Sequence, residues 1–235
     1  MGMYLVRAAG ERGKRMEFSL FSELAELPVV TWITLAVAAA MIATLIAAIV
    51  RARKNPVRMT QHDATRALVY GALCVALSFL LSYIRLFRMP QGGSITLASM
   101  LPVALYANRF GTGKGLLAGL ALGVLQFVQD PVAVHWAQPG LDYLLAFACI
   151  GLAGLFPQSL PIGLLVGGIG RILCSTVSGA IFFAEYAPAG MNPWIYSTIY
   201  NTISLGPDAI ICIVIALLPM VKRAFERIMP AQKTA

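Results

Sequence analysis

Seven apolar runs, at residues 29–50, 64–84, 95–107, 115–128, 141–156, 162–183 and 196–221, alternate with short stretches rich in glycine, proline and charge. A helix rises about 1.5 Å per residue, so roughly 20 apolar residues cross the hydrocarbon of a bilayer. The pattern predicts an all-α membrane protein. The runs at 95–107 and 115–128 fall short of that length and flank the turn Phe110-Gly-Thr-Gly-Lys114. They read either as spanning helices with polar ends or as a tight, partly re-entrant hairpin, and spanning helices are the expectation.

Composition agrees with this pattern. The 235 residues are 59% apolar and 12% charged, with mean hydropathy +0.78, whereas an ordinary soluble domain carries about 25% charged residues. The net charge of +8 invites a nucleic-acid reading. The basic residues, however, lie mostly between and beyond the runs, where the excess of Lys and Arg in cytoplasmic loops accounts for them. The densest stretch holds Arg51, Arg53, Lys54, Arg58 and Arg66, which predicts a cytoplasmic linker and an N-terminus outside. Counting onward, the turn at 109–114 and the tail with Lys222, Arg223 and Arg227 come out cytoplasmic, and the loops at 130–139 and 186–193 outside. Arg85 and Arg88 fall on the outer side, against the rule.

Several chemistries find no signature. Cys74, Cys149, Cys174 and Cys212 sit inside apolar runs without C-x-x-C spacing and read as packed thiols. His62 and His135 are too isolated for a metal centre. No H-E-x-x-H, G-x-S-x-G or P-loop occurs in the chain, so no cofactor, metal or catalytic residue is expected. Any uphill transport must draw on nucleotide hydrolysis in another subunit. The first 26 residues lack the order of a cleaved signal peptide, which predicts that the first span is retained.

The runs after residue 138 carry polar groups that lipid would not tolerate. An ionisable group costs roughly 2.5–3.5 kcal/mol at a bilayer centre, so it turns toward a cavity or a partner. Asp142, beside Tyr143, lies about one turn inside its run. Two readings stand open: a cavity carboxylate that binds a cation or accepts from a heterocyclic amine, or a snorkelling carboxylate favoured by the helix dipole. Arg171 and Asp208 fall at similar depth on successive antiparallel helices and predict an ion pair rather than a proton relay. Ser175, Gly179 and Phe183 recur every four residues on one face, and Tyr196 and Asn201 stand five apart on the next helix. A cavity wall and ordinary membrane-helix packing both suit such residues. Asp142 with Glu185 as the acid–base pair of a membrane enzyme is the competing class.

From about Thr65 to Leu218 the chain resembles the thiamine-specific S component of energy-coupling factor transporters. The matching blocks are Ala76-Leu-Ser-Phe79, Met89-Pro-Gln-Gly-Gly-Ser-Ile-Thr-Leu-Ala-Ser-Met100 and Gly115-Leu-Leu-Ala-Gly-Leu120, then Leu141-Asp-Tyr-Leu-Leu-Ala-Phe147, Gly151-Leu-Ala-Gly154, Glu185-Tyr-Ala-Pro-Ala-Gly-Met191 and Tyr196-Ser-Thr-Ile-Tyr-Asn201. The resemblance implies a six-helix S-component core at 64–222; hydropathy and charge add a polar segment at 1–28, a span at 29–50 that has no counterpart in the six-helix pattern, a basic linker at 51–63 and a cytoplasmic tail at 223–235. The resemblance also implies thiamine as the ligand, bound near the outer face, and as partners a transmembrane coupling subunit and two cytoplasmic ATPases. The family's acidic residue and tyrosine correspond to Asp142 and Tyr143, and its last-helix tyrosine and asparagine to Tyr196 and Asn201. Its docking motif of small residues corresponds to Ala67 and Gly71, in a strip that Ala72 and Ala76 continue. Where members carry a histidine and a tryptophan, this chain has Ser175 and Phe183. Some members also place a tryptophan in the first outer loop, a ring that His135 or Trp136 would supply here. These departures keep a thiamine precursor, such as a hydroxymethylpyrimidine, as the alternative ligand.

Overall fold

The computed structural model describes residues 61–89 and 93–228, together with Ala39, Ala43, Ile46 and Val50. The expected N-terminal segment, most of the span at 29–50, most of the linker and the last seven residues lie outside the described residues. Helix α1 (Gln61–Ser82) leads into a two-stranded antiparallel hairpin, β1 (Arg85–Arg88) and β2 (Ser94–Thr96). The hairpin is followed by α2 (Leu101–Phe110), α3 (Thr112–Gln129), α4 (Gly140–Leu155), α5 (Leu160–Phe182), α6 (Pro193–Leu217) and a terminal α7 (Pro219–Ile228). Three of these, α1, α5 and α6, are long and apolar enough to cross a membrane.

The apolar run at 95–107 is not one helix. Ser94-Ile-Thr96 is extended and pairs with β1, Ala98 takes φ +57°, and Pro102 lies in the first turn of α2, where proline's fixed φ and missing N–H are tolerated. The resulting α2 has ten residues, roughly 15 Å and half of a hydrocarbon layer. Every side chain from Leu101 to Asn108 is buried, with Val103, Ala104 and Ala107 at 0% exposure, so this short helix forms the centre of the core. Gly111, at φ +91°, turns it into α3.

Glycines set the spacing of the helices around α2. On α3, Gly115, Gly119 and Gly123 share one face. A Cβ on Gly119 or Gly123 would run into the α4 backbone at Phe147 or Tyr143, one on Gly115 would strike Ala107 of α2, and one on Gly151 of α4 would strike Gly115 and Leu116, so the antiparallel backbones of α3 and α4 lie in direct contact. Helix α4 changes pitch along its length: Gly140–Leu145 is a wide π turn, Ala146–Ala148 is α-helical, and Cys149–Leu155 tightens to 3₁₀. The α5–α6 pair is also close, with Gly168 against the side chain of Ala209 and Gly179 against that of Ser197.

On α1 the buried positions Ala67, Gly71, Cys74, Ser78 and Ser82 form a narrow stripe of small residues. A Cβ on Gly71 would stand 3.0 Å from the ring of Tyr106. Ala67 and Gly71 therefore face the interior, a correction to their expected place on a partner-docking surface; Ala72 and Ala76 face outward, among the exposed Leu68, Val69, Leu73 and Leu80. At the other end of the chain, the hydroxyl of Tyr70 donates to the carbonyl of Ile228 at 2.8 Å and ties α7 to α1.

Candidate functional site

A cavity opens at the end of the bundle where α5 finishes and α6 begins, bounded by the hairpin and by the loop between α3 and α4. Asp142 and Tyr143 enter it from the π turn of α4. Ser175 and Gly179 come from α5, Phe183 from just past its end, and Tyr196 and Asn201 from α6. Sequence positions 142 to 201 thus converge on one space. The remaining two candidates lie elsewhere: Trp136 is 86% exposed, and His135 stacks on Phe182 with centroids 5.1 Å apart.

The π turn explains how a carboxylate reaches the cavity from an otherwise apolar helix. Such wide turns recur at functional sites because they break the regular face of a helix. Asp142 Oδ2 accepts from Ser178 Oγ at 2.6 Å and from Gln138 Nε2 at 2.9 Å. Gln138 and Ser178 are 2% and 0% exposed. Reasoning from sequence missed both. The signals existed: Gln138 stands four residues before Asp142, and Ser178 shares a helix face with Arg171 and Ser175.

Other predicted residues divide their groups between architecture and cavity. The Tyr143 hydroxyl donates to the Asp130 carbonyl at 2.7 Å and accepts from the Val132 N–H at 3.1 Å, so it pins the loop and leaves its ring to the cavity. The Asn201 amide nitrogen donates to the carbonyls of Ser197 and Ser175 at 2.9 and 3.1 Å. That bond joins α6 to α5 and leaves the amide oxygen as an acceptor for a ligand. Arg171 also lines the cavity, one turn beyond Ser175. Its Nη1 lies 3.8 Å from Asp208 Oδ2, and its guanidinium lies 4.2 Å from the centroid of Phe147. Asp208 is 1% exposed and accepts from Ser99 Oγ at 3.3 Å.

The mouth is closed on one side by ions. Asp130 Oδ2 sits 3.0 Å from Arg85 Nη1 and 3.1 Å from Arg88 Nη2. These arginines were the exception to the loop-charge rule. Their shared acid explains how a hairpin bearing two cations sits at this end of the molecule, and it joins the hairpin to the loop that precedes α4. Glu185 is exposed and Tyr186 lines the cavity.

Two carboxylates line the cavity, Asp130 neutralised by Arg85 and Arg88 and Asp142 held by neutral donors, together with Arg171, which faces Asp208, several aromatic rings and amide and hydroxyl groups. This set suits a flat organic cation carrying N–H donors: the rings face the positive charge and the Asp142 carboxylate takes a donor. Among the described residues no group of three His, Cys, Asp or Glu side chains is placed to hold a metal ion.

Comparison with known proteins gives a consistent result. Residues 68–227 match the family model described as thiamine transporter protein. The thiamine transporter ThiT of Bacillus subtilis is 32% identical over 179 residues, spanning 68% of this chain and 93% of that protein. The thiamine transporter ThiT of Lacticaseibacillus paracasei is 25% identical over 167 residues, 61% of this chain and 81% of the relative. The solved structure of ThiT from Listeria monocytogenes superposes with a TM-score of 0.62 at 24% identity, covering 69% of this chain and 98% of that one, and so has the same fold.

Proposed function

Because the chain belongs to the thiamine transporter protein family, we propose that it is the thiamine-binding membrane subunit of an ATP-driven energy-coupling factor importer. Thiamine offers a permanently cationic thiazolium and an aminopyrimidine. The observation that carries the reading is the convergence of Asp142, Phe183, Tyr196 and Asn201 on one cavity. The ring faces take the thiazolium, and the carboxylate and amide take the pyrimidine's hydrogen-bonding edge.

Helices α1 to α6 are the six-helix S-component core, and the run at 29–50 is an added span. The cavity opens to the outside, and the basic linker and tail lie in the cytoplasm. Two ATPases and a transmembrane coupling subunit supply the energy and reorient the loaded protein, while this chain binds and does not catalyse. The coupling subunit docks on α1. Support for its position comes from Ala72 and Ala76, small residues on the outward face that permit close helix approach.

Calorimetric titration of the purified chain with thiamine tests the reading. The wild type binds, and Asp142→Ala weakens binding by more than about 1.4 kcal/mol, a tenfold change. Unchanged affinity in that variant removes Asp142 from the site, and a wild type that ignores thiamine removes the function.

A further inference from the structure

We propose that Gln138 and Ser178 are positioning residues that hold Asp142 by one oxygen, so that the other is presented to the ligand as an acceptor for a single N–H donor. The inference rests on the reading of this cavity as a thiamine site and goes on to say how the site tells an amine from a carbonyl.

Aspartate has a short side chain, and in a cavity open to water its carboxylate can rotate between partners. Here rotation is blocked from two elements. Ser178, on α5, donates to Oδ2 at 2.6 Å, and Gln138, just ahead of the π turn, donates to the same atom at 2.9 Å. Ser175, also on α5, supplies a second hydroxyl, the third donor beside the carboxyl group. Both donors to Oδ2 are buried, so water does not readily replace them. Gln138 is itself fixed, since its Oε1 accepts from the Val134 N–H at 3.1 Å. That bond also decides which end of the amide faces Asp142: the oxygen is used on the loop, so the NH₂ group points to the carboxylate.

The consequence concerns the ligand. With Oδ2 taking two hydrogens, Oδ1 is the atom left to meet the cavity, and it meets it as an acceptor. The exocyclic amine of an aminopyrimidine satisfies an acceptor. The 4-oxo analogue, in which a carbonyl replaces that amine, sets two acceptors against each other, and a site built to hydrogen-bond one group discriminates strongly against its misfit. Ser178 does not line the cavity, and Gln138, which does, has both ends of its amide engaged, so the two act through Asp142.

The test is titration of the full-length protein with thiamine and with its 4-oxo analogue. The wild type should prefer thiamine. Ser178→Ala and Gln138→Leu should each weaken thiamine about tenfold, the loss expected when a charge-assisted hydrogen bond is removed, and should leave the analogue's affinity within about twofold, because a freed carboxyl group can turn to suit either edge. Ser178→Thr, which keeps the hydroxyl, should restore the preference. A general disturbance of the site would weaken both ligands alike, and that result, or an unchanged preference, overturns the proposal. A wild type that binds thiamine without preferring it does so too. If the wild type binds neither ligand, the thiamine reading itself fails and takes the clamp with it. Should Gln138→Leu not fold, Ser178→Ala decides alone, since it leaves only a small space at a packed position.

Discussion

The two ends of this bundle use the same helices and are held together differently. Away from the cavity, α3 and α4 touch backbone to backbone: Gly115 lies on Gly151, and Gly154 sits so close to Thr112 that a Cβ would have no room. At the cavity end glycine contacts persist, Gly123 on Tyr143 and Gly179 on Ser197, and polar side chains add bridges between the helices. Ser178 and Gln138 meet at Asp142, Asn201 reaches across to α5, and Asp130 joins two arginines. Backbone contact leaves no space between helices. Side-chain bridges fix α4, α5 and α6 around the cavity that they line. The glycine-packed end is therefore the frame against which the polar end is set.

The largest test of this contrast falls where the two ends meet, at Arg171 and Asp208. Asp208→Leu strands a largely buried guanidinium at the cavity wall and should lower stability by about 3 kcal/mol, whereas Arg171→Met with Asp208→Leu should recover most of it. Thermal unfolding in detergent measures both, and equal losses in the single and double variants would show that the two groups do not act as a pair. Next come the glycines. Gly151→Ala forces a methyl against the backbone of Leu116 and should cost about 2 kcal/mol. Gly140→Ala, at the cavity end with nothing within 4 Å of the new Cβ, should change stability by less than about 0.5 kcal/mol. Similar effects at the two positions would erase the distinction between the ends. Smallest is the mouth: Asp130→Asn breaks two exposed ion pairs and should cost under about 1 kcal/mol, an effect that fades in high salt. A loss that persists in high salt would mean that Asp130 acts through something other than its charge.

Hydropathy was a good guide where helices are long. The runs at 64–84, 162–183 and 196–221 lie within a few residues of α1, α5 and α6. It failed at 95–107, because a short apolar run has no period that separates strand from helix; Pro102 was the only local sign that a helix starts there. The site was legible where a charge sat in an apolar run, as with Asp142, Arg171 and Asp208. Gln138 and Ser178 escaped notice because neutral polar residues are common in membrane helices and carry no such penalty. Small-residue strips were ambiguous for a different reason. Spacing says that Ala67 and Gly71 share a face, but only the packing of Tyr106 on Gly71 says that the face turns inward.

The length of α2 also constrains how the chain is made. A ten-residue helix entering lipid alone would leave backbone groups at its ends without partners. In the proposed six-helix membrane core it is therefore threaded into the bilayer together with α3, as one unit turning at Gly111. The glycine face of α3 then waits for α4, which begins eleven residues after α3 ends. Until that segment leaves the ribosome, the centre of the future core has no cover on one side.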